Sequence, residues 1–505
     1  MKKKIVVLPL DERPCNYYFN QWLVKETDYS VVVPPFSLLG KKKTIGDIEG
    51  LVEWLFKESA DAYGLVIAID TLLYSGIIPS RLHYDDVDTL NQRLNTLKTL
   101  KEKYPHLVIY GYNLIMRNPK YSSNEEEPDY YETWGREIHL HGVINHKLAL
   151  GIATRDEENQ LKEIDARLPL EHLHDYLDRR AINLTLNKSF LKLIQEGVID
   201  FGIVPQDDSS PYGLTAVDQK IIRETIIDLD IALKAYMYPG ADEVTNTLLA
   251  RLINYDLNIH PNVYIKYTSE LGAQCIPLYE DRPVGETVKY QVLAAGGKVV
   301  SSLSEADLVL LMNTPGGKMV EAASYKNRSI EYNSFRNLIE GIEFSLDAMA
   351  KGKGVIIGDI AYANGGDFEL LKLLKQASIL YRVAGYAGWN TSSNTLGTAI
   401  PQGFIYHIYG NTKAHKDFLA LRYTEDIGYC SFVRQEVTAA LTKTNLSYRE
   451  LDGPKGKTAQ LIKDKLQTFA DSEIVDPTYK VTITDSYQPW NRMFEIGLFV
   501  TCEKK

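Results

Sequence analysis

Asp207 and Asp208 stand side by side in the run Phe201-Gly-Ile-Val-Pro-Gln-Asp-Asp-Ser-Ser-Pro-Tyr-Gly213. Adjacent carboxylates repel, so in a sheltered pocket one of them holds its proton to a higher pH than the other. A carboxylic acid beside a carboxylate is the acid/base pair that cleaves glycosidic bonds. The residues Phe201–Val204 predict a short buried strand, and Pro205 marks where it leaves its sheet. In parallel α/β proteins the carboxyl end of a strand is where such groups are assembled. A solvated turn in which Asp208 caps through Ser210 would use the same residues without chemistry.

Other polar clusters follow strand-like runs in the same way. Asp11-Glu12-Arg13 follows Ile5–Leu10, Asp70 and Tyr74 follow Gly64–Ile69, and Asn113 follows Leu107–Tyr110. Asp242-Glu243, after Ala235–Tyr238 and a Pro-Gly turn, is a second acid pair and the rival for the catalytic role. Its place before a helix, where acids favour the dipole, assigns it instead to substrate binding. Asp359, Asn364 and Asp367 form another cluster. In Gly388-Trp-Asn-Thr-Ser-Ser-Asn-Thr-Leu-Gly397 the ring of Trp389 stands beside the amides of Asn390 and Asn394, which suits a sugar face and its hydroxyls. The same Asn, Thr and Ser residues would also serve as a helix N-cap series. Tyr212, in the turn after the acid pair, completes the candidate substrate contacts.

The elements that must position these groups alternate. Apolar strands at Ile5–Leu10, Tyr29–Val33, Gly64–Ile69, Leu107–Tyr110, Phe201–Val204, Ala235–Tyr238 and Val263–Tyr267 are separated by helical patterns such as Leu90–Lys103. This rhythm predicts a (β/α) barrel-like domain over 1–270, with an open sheet of the same rhythm as the alternative. It carries a mostly helical insertion over about 121–196. The pattern restarts at Gln274–Leu278 and continues through Val299–Leu303, Leu308–Met312, Val355–Ile357 and Arg382–Gly385. That predicts a smaller doubly wound, flavodoxin-like domain over 271–400. A mixed C-terminal cap fills 401–505, closed by a β pair near Tyr479–Asp485 and Met493–Val500. Leu8-Pro-Leu-Asp-Glu-Arg-Pro14 is echoed by Ile276-Pro-Leu-Tyr-Glu-Asp-Arg-Pro283, which marks two similarly built domain starts.

Composition narrows the partners. A net charge of −10 argues against nucleic acid or an anionic membrane as partner. The apolar run after Met1-Lys-Lys-Lys breaks at Asp11, so it is read as a first strand and not a secretory signal, and no stretch approaches a membrane span. Cys15, Cys275, Cys430 and Cys502 lie far apart, without metal or redox spacing, and read as free thiols of a cytoplasmic protein. The 33 Tyr against 14 Phe suit carbohydrate faces and wet interfaces, including those of a homo-oligomer. His139 and His141, at i and i+2, do not share a helix face, and no phosphate loop or dinucleotide fingerprint is present. No cofactor or metal is therefore expected for the main reading.

The Leu-Pro-Leu-Asp-Glu-Arg-Pro start, the Pro-Gln-Asp-Asp-Ser element and the Gly-Trp-Asn-Thr-Ser-Ser-Asn-Thr element resemble, over nearly the whole chain, a bacterial family known as domain of unknown function 4127. More loosely, the Asp-Asp element is similar to that of substrate-assisted N-acetylhexosaminidases of the O-linked N-acetylglucosaminidase type. That resemblance implies that Asp207 orients the 2-acetamido group and Asp208 acts as general acid and then base, on a small carbohydrate substrate. Neighbours on a strand point to opposite faces, so the pair requires the chain to leave extended geometry at Gln206–Ser209. Two other classes stay open. One is a metal-dependent hydrolase with Asp70, Asp207, Asp208 and Asp359 as oxygen ligands. The other is a non-catalytic sugar-binding protein.

Overall fold

The computed structural model describes residues 2–505, a mixed α/β chain built on two parallel sheets. Continuous apolar runs form the strands, as expected where both faces of a parallel sheet are covered. The first sheet contains β1 (Lys3–Leu8), β2 (Tyr29–Val32), β3 (Gly64–Ala68), β4 (Val108–Tyr112), β5 (Phe201–Ile203) and β6 (Ala235–Tyr236). Its order is β2-β1-β3-β4-β5-β6, all parallel. In a (β/α) barrel successive strands are neighbours around a ring. Here β1 lies between β2 and β3, so the chain reverses direction across the sheet, and β2 and β6 remain as edges. The barrel expected from the sequence is therefore replaced by an open sheet.

The second sheet contains β7 (Asn262–Tyr267), β8 (Lys298–Val300), β9 (Leu308–Asn313), β11 (Gly354–Asp359) and β13 (Gly385–Ala387). Its order is β13-β11-β9-β7-β8, again parallel and again reversing at its first strand. The run Val263–Tyr267, expected in the barrel, belongs to this second sheet, because the helix Val244–Leu257 carries the chain away from β6. The strand expected at Gln274–Leu278 is a short 3-10 turn and loop in which Ile276 is exposed, since Pro277 breaks the pairing. Between β9 and β13 a two-residue ladder joins β10 (Val320–Glu321) to β12 (Tyr362–Ala363).

Three helices, Tyr131–Ala149, Arg155–Asp165 and Leu170–Gln195, form the insertion between β4 and β5. They bury a small core of their own around Ile138, Ile164 and Tyr176. The C-terminal region is mostly helical and ends in the antiparallel pair β14 (Tyr479–Tyr487) and β15 (Gly497–Lys504). Its Ile462, Trp490 and Leu498 join one continuous core with Ile5 and Val66 of the first sheet. The cap is thus anchored on the first sheet and brings Tyr448, Arg449, Arg492 and Phe494 to the cleft at that sheet's carboxyl edge. Among the described residues no helix is long and apolar enough to cross a membrane.

Candidate active site

The carboxyl edges of both sheets and the cap enclose a cleft of about 320 Å³. Asp207 and Asp208 both line it. Beyond β5 the chain runs on in extended form, and Gln206 still bridges to Ile115 and Pro239. At Asp208 it turns into the left-handed region, with φ of 41°. Asp tolerates this conformation better than most side chains do. The turn removes the strand alternation that would have sent the two carboxyls to opposite faces. Each acid then meets its own guanidinium. Arg81 Nη2 donates to Asp207 Oδ2 at 2.7 Å, and Arg117 Nη1 donates to Asp208 Oδ2 at 3.0 Å. Burial, with Asp207 beside it, pushes the Asp208 carboxyl up to about 7.

Arg13 and Asp242 form a neighbouring stretch of wall. Asp11 does not face the cleft but accepts from Arg13 Nε at 2.8 Å and from its own loop through Arg13 N. Arg13 Nη2 reaches Asp242 Oδ1 at 2.5 Å, and the guanidinium lies 4.8 Å from the ring of Trp490 in the cap. From the second sheet, Asn390 and Asn394 also line it. Thr391 caps the helix Ser392–Tyr409 through Asn394 N, so the cap-series reading and the cleft reading are both satisfied.

The sequence pattern of the family described as a protein of unknown function (DUF4127) matches residues 5–498. The chain belongs to DUF4127. No curated protein matches it. Among solved structures it is similar to the carboxyl transferase domain of Rhizobium etli pyruvate carboxylase, with 3-bromopyruvate and with pyruvate. Identity is 9% in each, over 88% of this chain and 53% of theirs, with TM-scores of 0.19 and 0.17. The chain thus spans about half the length of those structures. Scores this low carry nothing about fold or chemistry.

Several residues expected to touch substrate lie elsewhere in this DUF4127 chain. Asp70 is buried and accepts from Asn113 Nδ2 (3.1 Å) and Leu114 N (3.0 Å), which makes both Asp70 and Asn113 a brace between β3 and β4. Burial pushes its carboxyl up to about 6. Tyr74 is buried against Asn183 of the insertion. Tyr212 points away from the cleft, beside Lys147 and His146. Trp389 is held by Thr398 and packs edge-on to Phe19, half-buried against the core and outside the lining of the cleft that holds the acid pair. The sequence could not separate these inward turns from cleft-facing ones, because a polar residue after a strand serves either end.

Glu243 departs most clearly from expectation. Helix Val244–Leu257 begins just after it and turns its carboxyl inward, where it is fully buried. It accepts from Ala241 N (2.9 Å), Asn394 Nδ2 (2.8 Å) and Gln291 Nε2 (3.2 Å), and so pins the second sheet's wall to the first. Burial pushes it from 4.5 up to about 7. The folded protein therefore binds this proton more tightly than the unfolded chain does. The associated stability is present below about pH 4.5 and is lost as pH rises through 7, to the extent of about 3 kcal/mol. Glu243→Gln should flatten the fall in melting temperature between pH 5 and pH 8, and an unchanged slope would contradict this assignment.

The cleft residues that sequence reasoning missed are chiefly basic and aromatic. Arg81, Tyr121, Tyr279, Tyr448 and Phe494 line it, and of these only Tyr279 lies in a motif, the echo 276–283. The acidic run 125–127, at the start of the insertion, also lines it. The four carboxylates of the metal reading are not gathered. Asp70 is turned to Asn113, and Asp359 is buried with Asn313 (2.8 Å), Tyr386 (2.8 Å) and Asp367 N (2.7 Å). Among the described residues no group of three or more His, Cys, Asp or Glu side chains is arranged to hold a metal ion.

Proposed function

We propose that the cleft hydrolyses glycosidic bonds of N-acetylhexosamines by a retaining, substrate-assisted route. The observation that carries this reading is the adjacent acid pair, held by separate guanidinium groups, with Asp208 keeping its proton to about pH 7. Asp208 gives that proton to the leaving oxygen as the glycosidic C–O bond breaks. The substrate's own acetamido oxygen attacks the anomeric carbon, and Asp207 accepts from the acetamido N–H to orient it. Water then opens the cyclic intermediate as Asp208, now a carboxylate, takes its proton. Tyr121, Tyr279 and Phe494 supply the apolar faces a pyranose ring needs, in place of Trp389.

The fold suits this use. We read both sheets as doubly wound, flavodoxin-type units, with the cleft outside their carboxyl ends near the reversal points β1 and β7. The metal-dependent alternative loses support because Asp70 and Asp359 face away from the acid pair.

Turnover of nitrophenyl N-acetyl-glucosaminides and galactosaminides by the intact protein tests the reading. Only the protonated form of Asp208 can act as the acid, and its protonated fraction falls as pH rises through about 7. On an alkyl N-acetylglucosaminide, whose departure needs that proton, the rate should therefore be level on the acid side of that value and fall about tenfold per pH unit above it. A rate that rises through pH 7 would count against Asp208 as the acid. Tight binding of N-acetylglucosamine without turnover would favour a sugar-binding protein instead.

A further inference from the structure

We propose that Glu126 is a positioning residue that couples the C-terminal cap to the acid pair, so that the pair is set only when the cap is docked. This rests on the glycosidase reading of the same cleft. Glu126 lies on the loop between β4 and the helix Tyr131–Ala149. Its Oε2 accepts from Arg117 Nη2 at 2.9 Å and from Arg81 Nη1 at 3.3 Å. Its Oε1 accepts from Arg492 Nη1 at 2.6 Å, across 366 residues of sequence. One carboxylate thus touches three guanidinium groups. Two of them hold Asp207 and Asp208, and the third belongs to the cap.

A guanidinium is a rigid planar fork, so fixing one edge fixes where the other points. Glu126 takes one edge of Arg81 and of Arg117, and that leaves Arg81 Nη2 and Arg117 Nη1 aimed at the acids. The side chains of Arg81, Arg117 and Arg492 are only 3%, 9% and 3% exposed, so little water competes for these bonds. Glu127 Oε1 braces the same two forks at 3.3 and 2.7 Å, but its contacts do not reach Arg492. Glu125 is the converse, bound to Arg492 at 3.0 Å and to Lys42 at 3.3 Å but to neither fork. Glu126 alone of the three spans cap and acid pair.

The charges facing Asp208 are Asp207, Arg117, Arg81 and Glu126, with the Tyr121 and Tyr279 hydroxyls nearby. Neutralising Glu126 removes a repulsion from Asp208, while Glu127 still holds Arg117 Nε at 2.7 Å, so Asp208 loses its proton at lower pH.

Glu126→Gln, Arg492→Gln and the double variant test the coupling. On an alkyl N-acetylglucosaminide each single variant should lose about 10–100-fold in kcat with KM within about twofold, the mark of a misplaced acid and not of lost binding. The double variant should be no worse than Glu126→Gln alone, since both changes cut one connection. The alkaline limb of Glu126→Gln should move down by about half a pH unit or more. Additive losses, a change confined to KM, or an unmoved limb would overturn the proposal. If the unaltered protein cleaves no such sugar, the glycosidase reading fails but the coupling is still measurable. The Asp208 carboxyl, carbon-13 labelled and assigned with Asp208→Asn, would titrate at lower pH in Glu126→Gln and at its original pH in Glu125→Gln. Equal midpoints in Glu126→Gln and the unaltered protein, or equal shifts in both variants, would reject it.

Discussion

Asp208→Asn should lower kcat/KM on an alkyl N-acetylglucosaminide by about 10²–10⁴-fold, the contribution of a well-placed general acid. The amide keeps the volume and can still accept from Arg117, but it has no acidic proton to give to the leaving oxygen. The deficit should shrink with nitrophenyl leaving groups, which depart with less protonation. Asp207→Asn should behave differently. It weakens the orientation of the acetamido group, so its loss should be similar whatever the leaving group. Residual activity equal to that of the unaltered protein in both variants would remove the acid pair from the mechanism. The leaving-group dependence matters most, because a structural defect would slow all substrates alike.

Arg422→Met is expected to destabilise the fold by about 3–5 kcal/mol at pH 8, the cost of leaving buried charges without a partner. Arg422 is fully buried, donates to Asp426 Oδ1 at 3.0 Å and to Glu425, and lies 4.3 Å from the ring of Phe19. Glu425 and Asp426 belong to a π-helical stretch, Tyr423–Val433, a rare conformation that is frequent at functional sites. Burial pushes Asp426 up to about 8 despite Arg422. Without the guanidinium both acids can avoid charge only by staying protonated, so the loss should be smaller at pH 5 than at pH 8. Arg422→Met combined with Glu425→Gln and Asp426→Asn should recover much of the stability, as replacement of whole buried ion networks often does. Denaturation midpoints at the two pH values measure this, and equal losses at both would mean that packing on Phe19, not charge, is the source. The effect should reach the cleft as well. Asp426 Oδ2 holds Gly388 N at 2.7 Å, two residues before Asn390.

Sequence and structure agree where the signal is local. The apolar runs at 64–69 and 308–312 lead directly to the strands Gly64–Ala68 and Leu308–Asn313, because a continuous apolar stretch between polar ends has few other uses. The acid pair was legible because Pro205 and the turn after it end a strand, and Asn390 and Asn394 because they open a helix after another. Strand order was not legible, since the βα rhythm is common to barrels and open sheets. The guanidinium partners were not legible either. Arg81 lies 126 residues from Asp207 and Arg117 lies 91 from Asp208, so no spacing connects them. Glu243 was misassigned because its neighbour Asp242 does face the cleft, and one step along a helix start reverses a side chain's direction.

The two sheets thread their first five strands in one and the same order. Each half also begins its first crossover helix on the same proline-framed loop, at Pro14 in one and just after Pro283 in the other. Tandem copying of a single ancestral unit leaves such a record. The halves differ in that the first carries three helices between its fourth and fifth strands and a sixth strand besides. The loop arginine of each half has its own post, Arg13 in the wall beside the acid pair and Arg282 at the seam, where it holds Gln206 at 2.7 Å.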